Sequence, residues 1–217
     1  EPHSVAVFAG TVTSTQPVVV TVIEENSGII FAYNGFKSSS TNPVLPLVQA
    51  NNSGYDSGVA VMNNGSISTQ VTITYTPSPG AGNGTQCTET QTISAGQIKV
   101  FALNAFATST PGSTCIPGAR FVGSAKVTGN SANQPLTIVA NQHKRPINGG
   151  SYSGFNPAEA TSRVIFPLIM DRNSGWWTGF NLQNVGSSNT TVSCTFTNTS
   201  YTIPATVLQP GQALNAI

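Results

Sequence analysis

The sequence predicts an all-β protein made of two tandem immunoglobulin-like β-sandwich domains. Three observations carry that expectation. The 217 residues include 21 Gly and 14 Pro but 7 % charged residues, against roughly 25 % in an ordinary soluble domain. Ser, Thr and Asn take the place of the charge, which is the composition of short strands joined by tight turns. Several stretches alternate apolar and polar residues with the period of two of a half-buried strand. Finally, the chain compared with itself shows one motif twice.

The repeat sets the organisation. LPLVQANNSGYDSGVAVMNNGS, starting at Leu45, corresponds to FPLIMDRNSGWWTGFNLQNVGS, starting at Phe166, at a shift of 121 residues. That shift pairs Pro46 with Pro167, Gly58 with Gly179, Asn63 with Asn184 and Gly65 with Gly186. Upstream, Gln16 and Pro17 match Gln134 and Pro135 at 118, and Tyr33, Gly35 and Phe36 match Tyr152, Gly154 and Phe155 at 119. Downstream, Gly96 and Gln97 match Gly211 and Gln212 at 115. Drifting shifts are loop insertions and deletions between two copies of one fold. The copies are expected at 1–103 and 119–217, joined by a linker at 104–118 rich in Ser, Thr, Pro and Gly. Copy 1 carries a Cys-containing hairpin insertion at about 77–92.

Each copy reads as strands in order. A strand is expected at 5–13. PVVVTVI (17–23) and its counterpart PLTIVA (135–140) are apolar runs suited to buried strands. NSG and NNG supply turns. Val71, Ile73 and Tyr75 alternate with polar residues, as do Val192, Cys194 and Phe196. One helical signal, Asn156-Pro157-Ala158-Glu159, combines an N-cap, a first-turn Pro and a Glu, and fits a single turn. Seven or eight short strands in about 100 residues make a sandwich of immunoglobulin-like type.

Charge bounds the function. Eight Lys and Arg, seven Asp and Glu and two His leave a formal net charge of +1. Eight scattered cations build no stripe to neutralise phosphates, so nucleic acid is not expected as a partner. No run approaches the roughly 18 apolar residues of a membrane span. The chain opens at Glu1 without an initiator Met, which suggests a processed, secreted mature protein. No acid, base or nucleophile pair recurs in both copies; the shared residues are Pro, Gly, Asn, Ser and apolar positions. An enzyme is therefore not expected, and no catalytic residue, metal ligand or cofactor is assigned.

The remaining candidates are few. Cys87 and Cys115 lie in segments that copy 2 lacks, and are expected to form a disulfide tying the insertion to the linker outside the cytosol. Cys194, on the inward phase of its strand, reads as a buried thiol. One loop is acidic in copy 1 (Glu24, Glu25) and basic in copy 2 (His143, Lys144, Arg145), so these residues are candidates for contacts between molecules. Trp176 aligns with Tyr55 and is expected in the core. Trp177 aligns with Asp56 and is expected to be exposed, as a candidate contact with a ligand or a neighbouring subunit. Sequons at Asn51, Asn64, Asn83, Asn189 and Asn198, and the hydroxyls of Thr108, Ser109 and Thr110, are candidate glycosylation sites.

A family resemblance joins these features. FVGSAKVTGNSANQPLTIVAN, the YNGF and YSGF loops, FPLIMDRNSGWWTGFNLQNVGSSNTTVSCTF and LQPGQA resemble β-sandwich repeats found in tandem in large secreted surface proteins of filamentous bacteria. The resemblance covers nearly the whole chain and is specific in copy 2. Copy 1 departs from it at NPVLPLVQANNSGYDSGVAVMNNG and in the insertion carrying Cys87. It implies an extracellular, non-enzymatic repeat protein. The expectation is a structural subunit that assembles, head to tail, into a filament, pilus-like fibre or surface layer. Its partners would be copies of itself. The alternative is an adhesin or carbohydrate-binding module that contacts glycans or other surface proteins.

Overall fold

A computed structural model describes residues 7, 9–26, 29–102, 112–144 and 148–216. Within them the chain is all-β. A hairpin of β1 (Thr21–Asn26) and β2 (Ile29–Asn34) comes first. Then follow β3 (Val44–Ala50), β4 (Asp56–Asn63), β5 (Thr69–Pro77), β6 (Cys87–Ile93), β7 (Ile98–Phe101), β8 (Phe121–Gly129), β9 (Leu136–Lys144) and β10 (Asn148–Ser153). A single 3-10 turn at Pro157–Glu159 is capped by the Asn156 side chain, which accepts from the Ala158 amide, as the sequence predicts. β11 (Phe180–Gln183), β12 (Thr190–Thr195), β13 (Thr202–Leu208) and β14 (Ala213–Ala216) complete the chain.

Two four-stranded antiparallel sheets, ordered β10-β9-β4-β7 and β3-β8-β5-β6, share one core, an arrangement consistent with a β-sandwich. Burial alternates residue by residue along β4 and β5. The alternation sends Val59 and Val61 inward from the first sheet and Val71, Ile73 and Tyr75 inward from the second.

The hydrogen bonding cuts across the repeat boundary expected from the sequence. β3 to β7 come from copy 1 and β8 to β10 from copy 2. Yet β8 lies between β3 and β5, and β9 lies beside β4. The complete sandwich therefore joins the second half of copy 1 to the first half of copy 2, instead of each copy closing on itself within 1–103 and 119–217. Chain connectivity explains this. A disulfide holds Cys115 against the start of β6, so the strand that follows begins beside that sheet, and consecutive elements tend to pack together.

What remains is two further halves at the chain ends, and each repeats the central pieces. The β1–β2 hairpin pairs Thr21 with Asn34 and Asn26 with Ile29. At the shifts of 118 and 119 this is the register of β9 with β10, Val139 with Ser153 and Lys144 with Asn148. The Gly35 amide donates to the Val20 carbonyl as the Gly154 amide donates to Ile138, each at 2.8 Å. At the other end β11 pairs with β14, Phe180 opposite Ala216, as β4 pairs with β7, Val59 opposite Phe101. β12 and β13 start as β5 and β6 do, Thr190 opposite Leu208 and Thr69 opposite Ile93.

A buried Asn brackets each second half in the same way. The Asn63 side chain donates to the carbonyls of Ile67 (2.8 Å) and Ile93 (3.1 Å) and accepts from the Gly65 amide (2.9 Å). The Asn184 side chain donates to Ser188 (2.8 Å) and Leu208 (3.0 Å) and accepts from Gly186 (3.0 Å). This explains why Asn and Gly at these spacings recur. Each buried amide thereby has both its donor and its acceptor side occupied.

Two further expectations change. The segment taken for a hairpin insertion at about 77–92 contains β6, a regular strand whose counterpart in copy 2 is β13; the irregular part is the connection at 78–86. Of the strand expected at 5–13, Val7 and residues 9–13 belong to no strand, and the others lie wholly or partly outside the described residues.

Candidate assembly surfaces

The site-bearing features are surfaces and one covalent tie. Cys87 and Cys115 are bonded, with their Cα atoms 5.0 Å apart, as the sequence predicts. Beside the bond, the Thr88 amide donates to Thr114 Oγ1 and the Thr114 amide to the Thr88 carbonyl, each at 2.8 Å. The segment entering β8 is thus fastened to β6 by a covalent bond and several hydrogen bonds, a Thr88–Thr114 hydroxyl contact of 3.3 Å among them. Cys194 is a buried free thiol, and burial pushes its pKa up.

Tyr55 and Trp176 show how the same turn is treated at the two positions. Asn52 and Tyr55 exchange backbone hydrogen bonds, and the Trp176 amide donates to Asn173 in the equivalent turn. Both turns run through left-handed backbone, with φ of 52° at Ser53 and Ser174, followed by Gly54 and Gly175. Tyr55 is half-covered: Lys144 Nζ stands 5.4 Å from the centre of its ring, and the Asn148 side chain reaches its hydroxyl. Both covering residues come from β9 and β10. Trp176 has no such hairpin over it and is 67 % exposed, so its expected place in the core is corrected. Trp177 is 61 % exposed, as anticipated.

Exposure continues upstream of Trp176. Val44 is 4 % exposed in β3, and its counterpart Ile165 is 73 % exposed. Leu45 and Val48 are fully buried, whereas Phe166 and Ile169 are exposed. The segment 165–171 forms no strand. β3 is a strand because β8 pairs with it; no strand occupies the place of β8 beside 165–171 among the described residues. The first half mirrors this. Leu136 is buried in β9, and its counterpart Val18 is 58 % exposed.

The charged candidates that are described lie in strands and not in loops. Glu24 and Glu25 are in β1, and His143 and Lys144 are in β9; Arg145 lies outside the described residues. Glu24 accepts from the Asn141 side chain at 2.9 Å. Its charge, after burial, raises the pKa of Tyr33. His143 sits opposite Asp56 in the β4–β9 ladder. Among the described residues the ion pair is Asp171–Arg172, exposed and 3.0 Å apart, which adds little stability.

The sequon side chains divide. Asn83 is engaged, donating to the carbonyls of Ser78 and Pro79 and accepting from Arg120. Asn51 donates to Gly118, and Asn64 accepts from Thr137. Asn189 and Asn198 are exposed on the terminal half. Thr108, Ser109 and Thr110 lie outside the described residues. Among the described residues no three His, Cys, Asp or Glu side chains gather as a metal site, and no helix is long and apolar enough to cross a membrane.

One buried group escaped sequence reasoning. Glu89 has no solvent exposure and accepts a hydrogen bond of 2.6 Å from the Tyr75 hydroxyl inside the core. The alternation of TETQTI placed Glu89 inward, but a carboxyl there contradicts the usual preference for solvent. Comparison with protein-family models, curated proteins and solved structures finds no match to this chain.

Proposed function

We propose that the protein is an extracellular structural subunit that assembles head to tail into a filament, a pilus-like fibre or a surface layer. The observation that carries the reading is the pair of uncovered apolar surfaces at opposite ends of the chain. One comprises Val18, Val19, Ile23 and Ile30; the other comprises Ile165, Leu168, Trp176 and Trp177. Exposed large apolar side chains concentrated in one segment are candidates for an interaction site. Two different sticky surfaces on one molecule make heterologous contacts, which give open chains when the rotation does not close. With 7 % charged residues, little repulsion opposes packing of like subunits. The Cys87–Cys115 bond suits an oxidising compartment, and the resemblance of the copy 2 motifs to tandem bacterial surface repeats points the same way. Negative-stain microscopy over a range of salt and protein concentration tests the proposal: filaments or sheets are expected, and monomers throughout would overturn it.

The adjacent exposed Trp176 and Trp177 favour a second reading, an adhesin or carbohydrate-binding module that stacks sugar rings on indole. A glycan array separates the two. Saturable binding lost in Trp177→Ala supports the adhesin, and no binding supports the structural subunit.

A further inference from the structure

We infer that subunits join by completing each other's sandwiches. The half formed by β11 to β14 and segment 165–171 of one copy receives residues 9–26 and 29–34 of a second copy, with β1 beside β11 and residues 9–11 beside β12, as β4 and β5 receive β9 and β8 within the chain. This rests on the head-to-tail reading and specifies its interface.

The central sandwich supplies the template. There β9 lies beside β4 with Val59 opposite Ala140 and Val61 opposite Ile138, and β8 lies beside β5 with Ile73 opposite Val127. In the terminal half β11 and β12 each have one strand partner, β14 and β13, and their other edges carry none among the described residues. Those are the edges on which β4 and β5 receive β9 and β8. Transferring the central register at the repeat shifts places Phe180 opposite Val22, Leu182 opposite Val20 and Cys194 opposite Ala9 of the second copy. At Phe180, Leu182 and Cys194 apolar residues meet apolar residues, which is what a sheet register favours where one face is buried; Val192 comes opposite Thr11.

A polar contact agrees. The Tyr152 hydroxyl donates to the Leu47 carbonyl and accepts from the Leu47 amide at 3.1 Å, clamping β10 onto β3. The same shifts place Tyr33 of the second copy at Leu168. Leu168 is exposed and Tyr33 is half-buried, and their central counterparts are Leu47, whose backbone is bonded, and Tyr152, whose hydroxyl bonds it. Unpaired edges are templates for another chain, and main-chain ladders with apolar pockets are how strand addition gives affinity and specificity. A chain of n subunits would then hold n central sandwiches and n − 1 junction sandwiches, in an unbroken alternation.

Paired cysteines test the register. Asn181 and Thr21, both exposed, come directly opposite when Ala60 and Val139 are taken as template. Opposed residues in an antiparallel pair have Cα atoms about 4.5–5.5 Å apart, within reach of a disulfide. Two full-length chains are made, Asn181→Cys and Thr21→Cys, each also carrying Cys194→Ala. They are mixed, oxidised and run on a non-reducing gel. The expected product is a covalent dimer from the mixture, and a ladder from a chain carrying both substitutions. Asn181→Cys mixed with Val22→Cys, one residue out of register and on the opposite face, gives at least ten-fold less. Filaments without the in-register cross-link would overturn this inference and leave head-to-tail assembly standing. A double variant cross-linked only within the monomer would show that the halves close inside one chain. Like the absence of both filaments and cross-links, it would overturn both.

Discussion

Glu89 and Tyr75 make a buried polar pair among the apolar residues of the core. Copy 2 has Pro204 and Phe196 at these positions, so the pair belongs to the central sandwich alone. Removing one partner of a buried hydrogen bond leaves the other to bear its desolvation, at about 1–3 kcal/mol. Tyr75→Phe should lower unfolding free energy by about that amount, measured by chemical denaturation. Tyr152 gives a pH dependence. Burial raises its pKa above the ordinary value of 10.0, so the native state holds the phenolic proton more tightly than the unfolded chain. Its contribution is complete below pH 10 and is lost progressively as pH rises beyond it. Thermal melts of the wild type should fall above pH 10, and Tyr152→Phe should fall less steeply over the same range. Trp176 was misread from sequence for a physical reason. Alignment with Tyr55 identified the turn correctly, but burial depends on a hairpin that sequence comparison does not place.

The strands themselves were largely legible. Alternation in 71–75 became β5 and that in 192–195 became β12, and the run 135–140 lies almost wholly in β9; of the run 17–23, expected as a buried strand, only 21–23 lie in a strand, and Val18, Val19 and Ile23 are exposed. Pairing was not legible, because strands of two similar copies satisfy the same ladder whichever copy supplies them. What decides between them is a short tether. The Cys87–Cys115 bond closes a loop with a sequence separation of 28 and brings β8 to the sheet containing β6. Loops of this length contribute about 2–4 kcal/mol when closed covalently. Cys87→Ser with Cys115→Ser should lower stability by about that amount, and reductant should have the same effect on the wild-type melting temperature but none on the variant. Because 165–171 has no partner strand among the described residues, it shows what β3 would be without β8: the apolar pattern persists while the strand does not.

At the scale of the whole molecule, one complete sandwich sits between two half-sandwiches whose strands repeat its own. With 7 % charged residues, little repulsion opposes the meeting of apolar ends. The assembly proposed for them makes the central sandwich independent of assembly and the terminal halves dependent on it. Hydrogen exchange reports on that difference directly, since amide protection follows the local stability of each ladder. In dispersed monomer, β4, β5, β8 and β9 should be protected, while residues 18–23, β11 and β12 exchange rapidly. In assembled material these three segments should become protected together, by a factor of at least a hundred, with the central strands unchanged. If they exchange as fast in the assembled material as in the monomer, the halves do not complete one another and the account fails.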